Sequence, residues 1–287
     1  GALGIAWWGY TRSSLSTTGA LAALVVGAGT IGCSLRMGIT LMAFFFASSK
    51  LTQYKEDMKI ELDDSAKKGG QRDWKQVLCN GAIPTAIAIA YGVLVGCVDV
   101  PLGLSAQMEV WRAKAATLLG GAFLGYYAAC CGDTWASELG PLSPATPVLI
   151  TTMRPVRRGT NGGVTAAGLL ASAGGGAFVG AAFYAAALVS PTLWILEGQH
   201  AAAVAQWGLI LLGAAAGLAG SLLDSLLGAT LQYTGFNTVT GRVTSTPGPG
   251  INHISGVAFL DNNMVNMVSA SVMSGLTALA AVRLFIC

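Results

Sequence analysis

Apolar residues in this chain occur in runs long enough to cross a bilayer, and shorter polar segments separate them. A spanning helix needs about 20 mostly apolar residues. The runs that approach or reach this length cover residues 14–35, 77–98, 115–131, 164–190, 207–230 and 263–286. The shorter segment 37–49 follows Arg36, and we expect a hairpin return arm or a re-entrant helix there. Residues 1–10, with Trp7 and Trp8, are typical of a truncated helix or an interfacial anchor. The pattern predicts an all-α fold, a polytopic membrane helix bundle with about seven transmembrane helices.

The composition agrees with a chain that lies mostly in lipid. Hydrophobic residues make up 53% of the 287 residues and charged residues 10%, against about 25% charged residues in a typical soluble domain. The 39 glycines fit membrane helices, in which small residues let backbones approach closely. A formal charge of +3 without a basic, aromatic-interleaved patch argues against nucleic acid as a partner. We therefore expect residues 1–287 to form a single membrane domain in the lipid bilayer, and the sequence leaves the oligomeric state open.

Lysine and arginine are distributed unequally between the two sets of connecting segments. If the spans alternate in direction, 12 of the 16 cations fall in one set, which comprises residues 1–13, 50–76, 132–163 and 231–262. The other set holds 4, namely Arg36, Arg112, Lys114 and Arg283. The positive-inside rule puts the first set in the cytosol or its equivalent in an organelle. Residues 50–76 are therefore predicted to be a charged cytosolic loop, with Lys50 and Arg72 next to the membrane at its two ends.

Acidic residues stand at the cytosolic ends of two apolar runs. CGDTWASELG carries Asp133 and Glu138, and GSLLDSLLGATLQYTG carries Asp224. A carboxylate near the bilayer interior is costly, so such residues mark functional sites by default. On a continuous helix Asp133 and Glu138 point to different faces. Both reach one ion only if the helix breaks near Gly132 or if the acids work through different oxygens. The alternative for the first motif is a helix end whose acids face water.

A glycine-rich turn preceded by arginines is the main candidate for phosphate binding. In TTMRPVRRGTNGGVTAAG, residues 151–168, the turn runs directly into an apolar helix. Backbone N–H groups and the positive helix end attract phosphate there, and arginine adds bidentate contacts. The predicted phosphate-binding residues are Lys50, Arg72, Arg157, Arg158, Gly159, Thr160, Asn161 and Gly162. The alternative is an ordinary turn beside positive-inside charges.

The last span opens on a cluster of oxygen-bearing side chains in LDNNMVNM, residues 260–267. Mg²⁺ prefers such ligands and usually takes one or two carboxylates together with substrate phosphates. The predicted metal ligands are Asp133, Asp224, Asp261, Asn262 and Asn266, and the predicted catalytic residues are Asp133, Glu138 and Asp224. The alternative for Asp261 is a helix N-cap.

The motifs at this membrane face together predict magnesium-assisted phosphoryl or nucleotidyl transfer, since they combine carboxylates, a phosphate-type turn and cations. Magnesium-assisted phosphoryl or nucleotidyl transfer needs a metal to neutralise phosphate charge and cations to stabilise the transition state. The chain has two histidines, His200 and His253, so a histidine-based catalytic site is not expected.

Several blocks of the sequence resemble one family of integral membrane proteins. They occur in order between residues 40 and 285 as SSKLT, GGQRDW, NGAIPT, GDTWASELG, LITT, GTNGGVT, DSLLGATLQYTG and LDNNMVN. These blocks resemble the family that includes plant phytyl-phosphate kinase, which is similar to the CTP-dependent polyprenol kinases. The resemblance implies transfer of the γ-phosphoryl group of CTP or another nucleoside triphosphate to an isoprenoid monophosphate. It also implies an organelle membrane, such as the ER or the plastid envelope.

The resemblance extends to individual residues. The positions that match the family blocks are Asp133, Glu138, Gly140, Gly159, Thr160, Gly162, Gly228, Gln232, Asn262 and Asn266. The plant branch tends to carry Glu in place of Asp224, and it tends to carry Asn at position 261 and Asp at position 263. The chain therefore resembles the animal-type branch more closely, which leaves the isoprenoid chain open.

Two other functions fit parts of the pattern. Nucleotidyl transfer to a lipid phosphate uses the same residue types but releases pyrophosphate. A transporter or scramblase of a phosphorylated lipid also places acids in the membrane, although polar groups at one face rather than the midplane argue against alternating access. A non-catalytic protein with the same fold is a further alternative.

Overall fold

The computed structural model describes residues 2–54, 71–105, 107–195 and 198–287, so most of the predicted charged loop 50–76 lies outside the described residues. Within these ranges the helices are α1 Ala2–Thr11, α2 Thr17–Cys33, α3 Leu35–Gln53, α4 Trp74–Val95, α5 Val110–Leu139, α6 Ala166–Val189, α7 Pro191–Ile195, α8 Gln199–Val204, α9 Gly208–Leu231 and α10 Asn262–Phe285. The strands are β1 Val148–Leu149, β2 Gly163–Val164, β3 Thr234–Asn237, β4 Val243–Thr244 and β5 Ile251–Ser255.

Five helical segments are long and apolar enough to cross a membrane. They are Trp74–Val95, Val110–Leu142, Ala166–Val189, Gln199–Leu231 and Asn262–Phe285. The prediction of a helical bundle with several membrane spans is confirmed, but the count of seven is not. Helix α2 has 17 residues, and α3 ends in a polar segment that includes Lys50 and Gln53.

Helices α2 and α3 form the predicted hairpin at the first apolar segments. Ser34 separates them, and its hydroxyl accepts a hydrogen bond from the Met37 N–H at 3.1 Å to cap α3. At the far end of the hairpin, Gln53 Nε2 donates to Ser14 Oγ at 3.3 Å. The return arm is longer than the predicted segment 37–49, because the helix continues through the polar residues after it.

A buried polar cluster closes the hairpin corner. The carboxylate of Asp99 accepts from Ser34 Oγ at 2.6 Å, from Ser190 Oγ at 2.8 Å and from the Arg36 N–H at 3.2 Å. The Arg36 side chain donates from Nε to the Phe183 carbonyl at 2.9 Å and lies over the Phe183 ring at 3.8 Å. Both Arg36 and Asp99 are 2% exposed. The Asp99 cluster therefore ties α3 to the end of α6 in a region that water does not reach.

The central helix of the bundle is α5. It is 78% buried over its apolar window, against 33–44% for the other four spans. It runs without a break from Val110 to Leu139, so the helix does not end near Gly132. Gly132 serves helix packing instead, because a β-carbon there would lie 2.6 Å from the Gly217 carbonyl oxygen of α9.

Glycines also let α9 approach α6. A β-carbon on Gly217 would lie 2.6 Å from the Ser172 carbonyl oxygen and 2.7 Å from the Cα of Gly176. Real β-carbons do not approach backbone this closely, so any larger residue has to push the helices apart. The backbones of α5, α6 and α9 meet at Gly217.

The all-α prediction missed two small antiparallel sheets in the connecting segments. One pairs β1 with β2, and the other has the order β4-β3-β5. Their strands are two to five residues long. Such short strands leave a weak alternation in the sequence, and tertiary pairing decides their structure. The second sheet fixes the segment that joins α9 to α10.

We expect Gly217→Ala to destabilise the bundle, because overpacking against backbone typically costs about 1–3 kcal/mol. Gly275→Ala in α10 is the matched control, since nothing lies within 4 Å of a β-carbon there. In a helix interior alanine stabilises by roughly 0.5–1 kcal/mol relative to glycine. Thermal unfolding of the purified protein in detergent measures both. Equal unfolding temperatures for the two variants would contradict the close approach.

Candidate functional site

A polar cavity of about 490 Å³ opens at one end of the bundle. It is lined by the start of α4, the last turns of α5, the glycine-rich turn 159–163, the end of α9 and the start of α10. These segments all belong to the set that carries most of the cations. The structure therefore brings the separate sequence motifs together at a single site. Of the predicted site residues, those that line the cavity are Arg72, Asp133, Glu138, Arg158, Gly159, Thr160, Asn161, Gly162, Asp224, Asn262 and Asn266.

Two carboxyl groups meet in this cavity. Asp133 on α5 and Asp224 on α9 both line it, close enough for their carboxyl groups to interact. Their helices approach closely where Gly132, the residue before Asp133, packs against Gly217 of α9. Two carboxylates in contact repel each other unless a proton or a cation lies between them. The Asp133–Asp224 pair is therefore a position where either a shared proton or a bound cation relieves the repulsion.

Groups on α10 hold the Asp224 side of this pair. Ser269 Oγ donates to Asp224 Oδ2 at 3.0 Å. The Asn266 amide, with its nitrogen facing Asp224, donates to the same oxygen at 3.0 Å and to the Asn262 carbonyl at 3.0 Å. The orientation of this amide is assigned from its hydrogen bonds. These contacts fix the Asp224 rotamer through one of its two oxygens.

Arg72 supplies positive charge on the opposite wall. Its Nη1 donates to Ser49 Oγ at 2.8 Å, and its backbone pairs with the segment before α2 through Ser14 and Ser16. Burial lowers the pKa of the Arg72 guanidinium below its ordinary value, and the nearby Glu138 carboxylate opposes that shift. A guanidinium nevertheless stays protonated at neutral pH. The Glu138 carboxylate thus offsets part of the cost of burying Arg72, and Glu138 lies on a different face of α5 from Asp133.

The glycine-rich turn packs tightly against α9. Gly162 has a φ of +78°, which favours glycine, and a β-carbon there would lie 2.6 Å from the Ser225 carbonyl oxygen. Asn161 Nδ2 donates to Thr234 Oγ1 of β3 at 2.8 Å. Two turn amides are used within the turn itself, since Thr160 N donates to Arg157 O and Gly163 N donates to Thr160 O. The turn thus presents fewer free N–H groups than the sequence implied.

Thr160 contributes a different polar group. It is 6% exposed and lines the cavity, and its Oγ1 is buried without a hydrogen-bond partner in the described structure. A buried hydroxyl usually has a partner, and leaving one unsatisfied costs about 1–3 kcal/mol. An unpartnered hydroxyl beside glycines and Arg158 is suited to a phosphate oxygen.

Three predicted site residues do not line the cavity. Asp261 accepts a hydrogen bond from the Met264 N–H at 2.9 Å and caps α10, which is the alternative that the sequence left open. The Arg157 guanidinium lies over the Phe236 ring at 3.9 Å. Lys50 is exposed in the last turn of α3. Their predicted roles in metal or phosphate binding stay predictions, and the cavity geometry does not support them.

Other polar side chains at the site were not predicted. They are Gln71, Gln76, Asn80, Ser221, Ser225 and Gln232, and all of them line the cavity. Asn80 has a visible signal, because it is an amide six residues into the α4 span. Ser221 lies one turn before Asp224 on the same helix face, and Ser225 is the residue that follows Asp224. Hydroxyls at such positions are too common in membrane helices to be recognised from sequence alone.

The donor chemistry of the site fits a magnesium ion. Among the residues that the structure describes, no group of three or more His, Cys, Asp or Glu side chains is arranged to hold a metal. Mg²⁺ does not require such a group, because it keeps waters and substrate phosphates as ligands beside one or two carboxylates. Asp133 and Asp224, with Asn262 of α10 in the same cavity, provide that set, whereas the Asn266 amide presents its nitrogen to Asp224 and is not placed as a ligand there.

These features define a polytopic membrane protein with a cavity of acids and cations at one end. The chain belongs to the family described as Integral membrane protein DUF92, which matches residues 1–274. The predicted resemblance to an integral-membrane family with plant members is confirmed, whereas the animal-type branch stays a prediction. No solved structure matches the chain.

Relatives occur in plants, archaea and cyanobacteria. The chain is 45% identical to Protein PGR of Arabidopsis thaliana over 281 residues, covering 98% of this chain and 94% of the relative. It is 30% identical over 220 residues to Uncharacterized membrane protein MJ0933 of Methanocaldococcus jannaschii, covering 74% of each chain. It is 29% identical over 227 residues to Uncharacterized membrane protein sll0875 of Synechocystis, covering 77% of this chain and 70% of the relative.

We predict that Thr160→Val leaves the unfolding temperature unchanged or raises it, because the substitution removes an unsatisfied buried hydroxyl. Thr234→Val is the matched control, since it deprives the Asn161 amide of its partner and is expected to cost about 1–3 kcal/mol. Thermal unfolding in detergent measures both variants. A destabilised Thr160→Val would show that the hydroxyl has a structural partner and is not reserved for a ligand.

Proposed function

We propose that this protein is a membrane lipid kinase that transfers a phosphoryl group from CTP or another nucleoside triphosphate to an isoprenoid monophosphate. The product is the isoprenoid diphosphate, and Mg²⁺ is the cofactor. We place the reaction at the cytosolic face, or its equivalent, of an organelle membrane. The names of the relatives do not state an activity, so the proposal rests on the site and on the motif blocks that resemble phytyl-phosphate kinase.

One observation carries the proposal. The Asp133–Asp224 pair lies in the same cavity as Arg72, Arg158 and the glycine-rich turn. Phosphoryl transfer depends mainly on positioning and on charge stabilisation, which carboxylate-held metal and arginines provide. The cavity volume of about 490 Å³ falls within the range of roughly 300–1,000 Å³ usual for small-molecule sites. The site thus combines the right charges with room for a nucleotide.

The reaction requires little from an acid or base. An oxygen of the acceptor monophosphate forms a bond to the γ-phosphorus, while the bond from that phosphorus to the bridging oxygen breaks and the nucleoside diphosphate leaves. A phosphate monoester is already anionic at neutral pH, so it needs no strong base. Arg72 and Arg158 would offset the repulsion between the two anionic substrates and orient their phosphate oxygens. Glu138 would hold the Arg72 guanidinium in position.

Magnesium would be held by Asp133 and Asp224, and when bound it would neutralise charge on the nucleotide phosphates. Asn266 and Ser269 would maintain the rotamer of Asp224. The Thr160 hydroxyl would donate to a phosphate oxygen.

Asp133→Asn and Asp224→Asn are each expected to lower phosphoryl transfer by about 100-fold or more, because the site would hold the metal that neutralises the reacting phosphates less tightly. Asp261→Asn is the matched control, since asparagine is also a good N-cap and the side chain lies outside the cavity. The assay uses purified protein in detergent with a prenyl monophosphate, Mg²⁺ and γ-labelled CTP. Full turnover by both cavity variants would refute the site assignment.

The products distinguish the proposed reaction from its alternative. A kinase forms CDP and a labelled isoprenoid diphosphate, whereas nucleotidyl transfer releases pyrophosphate. Movement of lipid phosphate across liposomes without nucleotide turnover would indicate a transporter or scramblase instead.

Arg72→Gln is expected to raise KM for the phosphate-bearing substrates about tenfold or more, because hydrogen bonds to charged groups contribute about 1.5–3 kcal/mol. The matched control is Arg157→Gln, which removes an exposed arginine that stacks on Phe236 outside the cavity. Steady-state kinetics with each substrate varied in turn provide the measurement. Similar KM values for the two variants would show that Arg72 does not contact phosphate.

A further inference from the structure

We propose that a narrow apolar cleft beside the polar cavity holds the part of the substrate's hydrocarbon chain that adjoins its phosphate. This inference rests on the proposed function and deepens it, since it assigns the lipid to one place among α1, α2, α3 and α4. The occupant is the chain of an isoprenoid monophosphate whose headgroup lies in the cavity.

The cleft has a lining suited to hydrocarbon. Its volume is about 60 Å³, and it lies between Ala6 of α1, Ala23 of α2, Met42 and Phe45 of α3, and Val77 of α4. Tyr127 of α5 closes its inner side and is fully buried. Small side chains on α1 and α2 leave the space open on one wall, and larger side chains on α3 fill the other.

The cleft and the polar cavity adjoin each other. Phe44, Arg72 and Asn80 line both of them. Arg72 therefore stands where apolar and polar surfaces meet, with its guanidinium 6.0 Å from the centroid of the Phe45 ring and near Glu138 in the cavity. This is the position that a cation needs if it is to bind the phosphate of a lipid whose chain points into the cleft.

The arrangement at Arg72 is built into the fold. Its N–H donates to the Ser14 carbonyl at 3.0 Å, and its carbonyl accepts from the Ser16 N–H at 2.9 Å. Because these bonds join the residue to the loop between α1 and α2, the cation and the small-residue wall are fixed relative to each other. A phosphate bound at Arg72 thus directs the attached chain toward α1 and α2.

The small volume has a consequence for selectivity. A cleft of about 60 Å³ holds only the segment next to the phosphate, so the rest of a long chain has to lie in the bilayer. A chain already in hydrocarbon gains little from moving into an apolar cleft, and the cleft therefore positions the lipid more than it strengthens binding. We expect tolerance of chain length but sensitivity to bulk near the phosphate.

A photoreactive prenyl monophosphate tests the placement directly. The probe carries a diazirine on its first isoprene unit and is added to the full chain in detergent, after which labelled peptides are identified by mass spectrometry. The expected labels fall on α2 and α3. Ala23→Phe fills the cleft and is expected to lower this labelling about tenfold by steric exclusion. Labelling elsewhere, or equal labelling of the variant, would overturn the proposal.

The matched control is Ala28→Phe, which adds the same side chain to the same helix at an exposed position outside the cleft. It is expected to label like the unmodified protein. Equal loss of labelling in both variants would overturn the proposal. Thermal unfolding in detergent reports whether Ala23→Phe folds. If it does not, Ala6→Leu narrows the same cleft with a smaller change. Labelling of Ala6→Leu equal to that of the unmodified protein would then overturn the proposal.

Kinetics separate this inference from the proposed function. With a prenyl monophosphate as acceptor, Ala23→Phe should raise KM for the lipid and leave KM for the nucleotide unchanged. If the cleft is labelled but the protein transfers no phosphoryl group, the lipid-binding cleft is supported and the kinase activity is refuted. Phosphoryl transfer with lipid KM unaffected in Ala23→Phe would sustain the kinase and refute the cleft.

Discussion

The close approach of α5, α6 and α9 is the constraint on which the rest of the structure depends. Gly217 lies between the backbones of Gly132 and Ser172, and no larger residue fits without separating the helices. Because α5 carries Asp133 and α9 carries Asp224, this contact also sets the distance between the two carboxylates. Packing and chemistry are thus fixed by the same few atoms. In a membrane, where hydrocarbon surrounds the helices, backbone proximity of this kind replaces the hydrophobic drive that soluble bundles use.

The acid pair is placed where its charge is useful and can be balanced. At the end of the bundle, polar side chains and solvent reach the carboxylates, whereas deeper in the bilayer the same pair would be far more costly. Arg72 and Arg158 supply the opposing charges from segments outside the longest helices. Each helix of the core thus supplies only a few polar side chains to the cavity. The cavity becomes polar because several helix ends and loops meet there.

The sequence predicted the apolar helices and the convergence of the motifs well, because both follow from long runs and from a simple alternation of sides. It predicted individual roles less well. Asp261 and Arg157 have side chains that suit metal and phosphate, but one caps α10 and the other lies over Phe236. A cap depends on local geometry, and the aromatic partner of Arg157 lies on β3, a strand that the sequence pattern did not reveal. Thr160 was predicted from its turn, but the unpartnered state of its buried hydroxyl follows only from its tertiary surroundings.

The Asp99 cluster, where Arg36 and Asp99 lie buried between α3 and α6, gives the molecule a closed end. Its hydrogen bonds join the hairpin corner to the end of α6, at the opposite end of α3 from Ser49 and the cavity. An arginine and an aspartate with so little exposure keep water out of this end of the bundle and do not form a binding site there. Such a closed end favours entry and exit of aqueous ligands at the cavity end. For the proposed kinase, nucleotide and spent nucleotide would then share one compartment, and the reaction would follow the nucleotide ratio of that compartment.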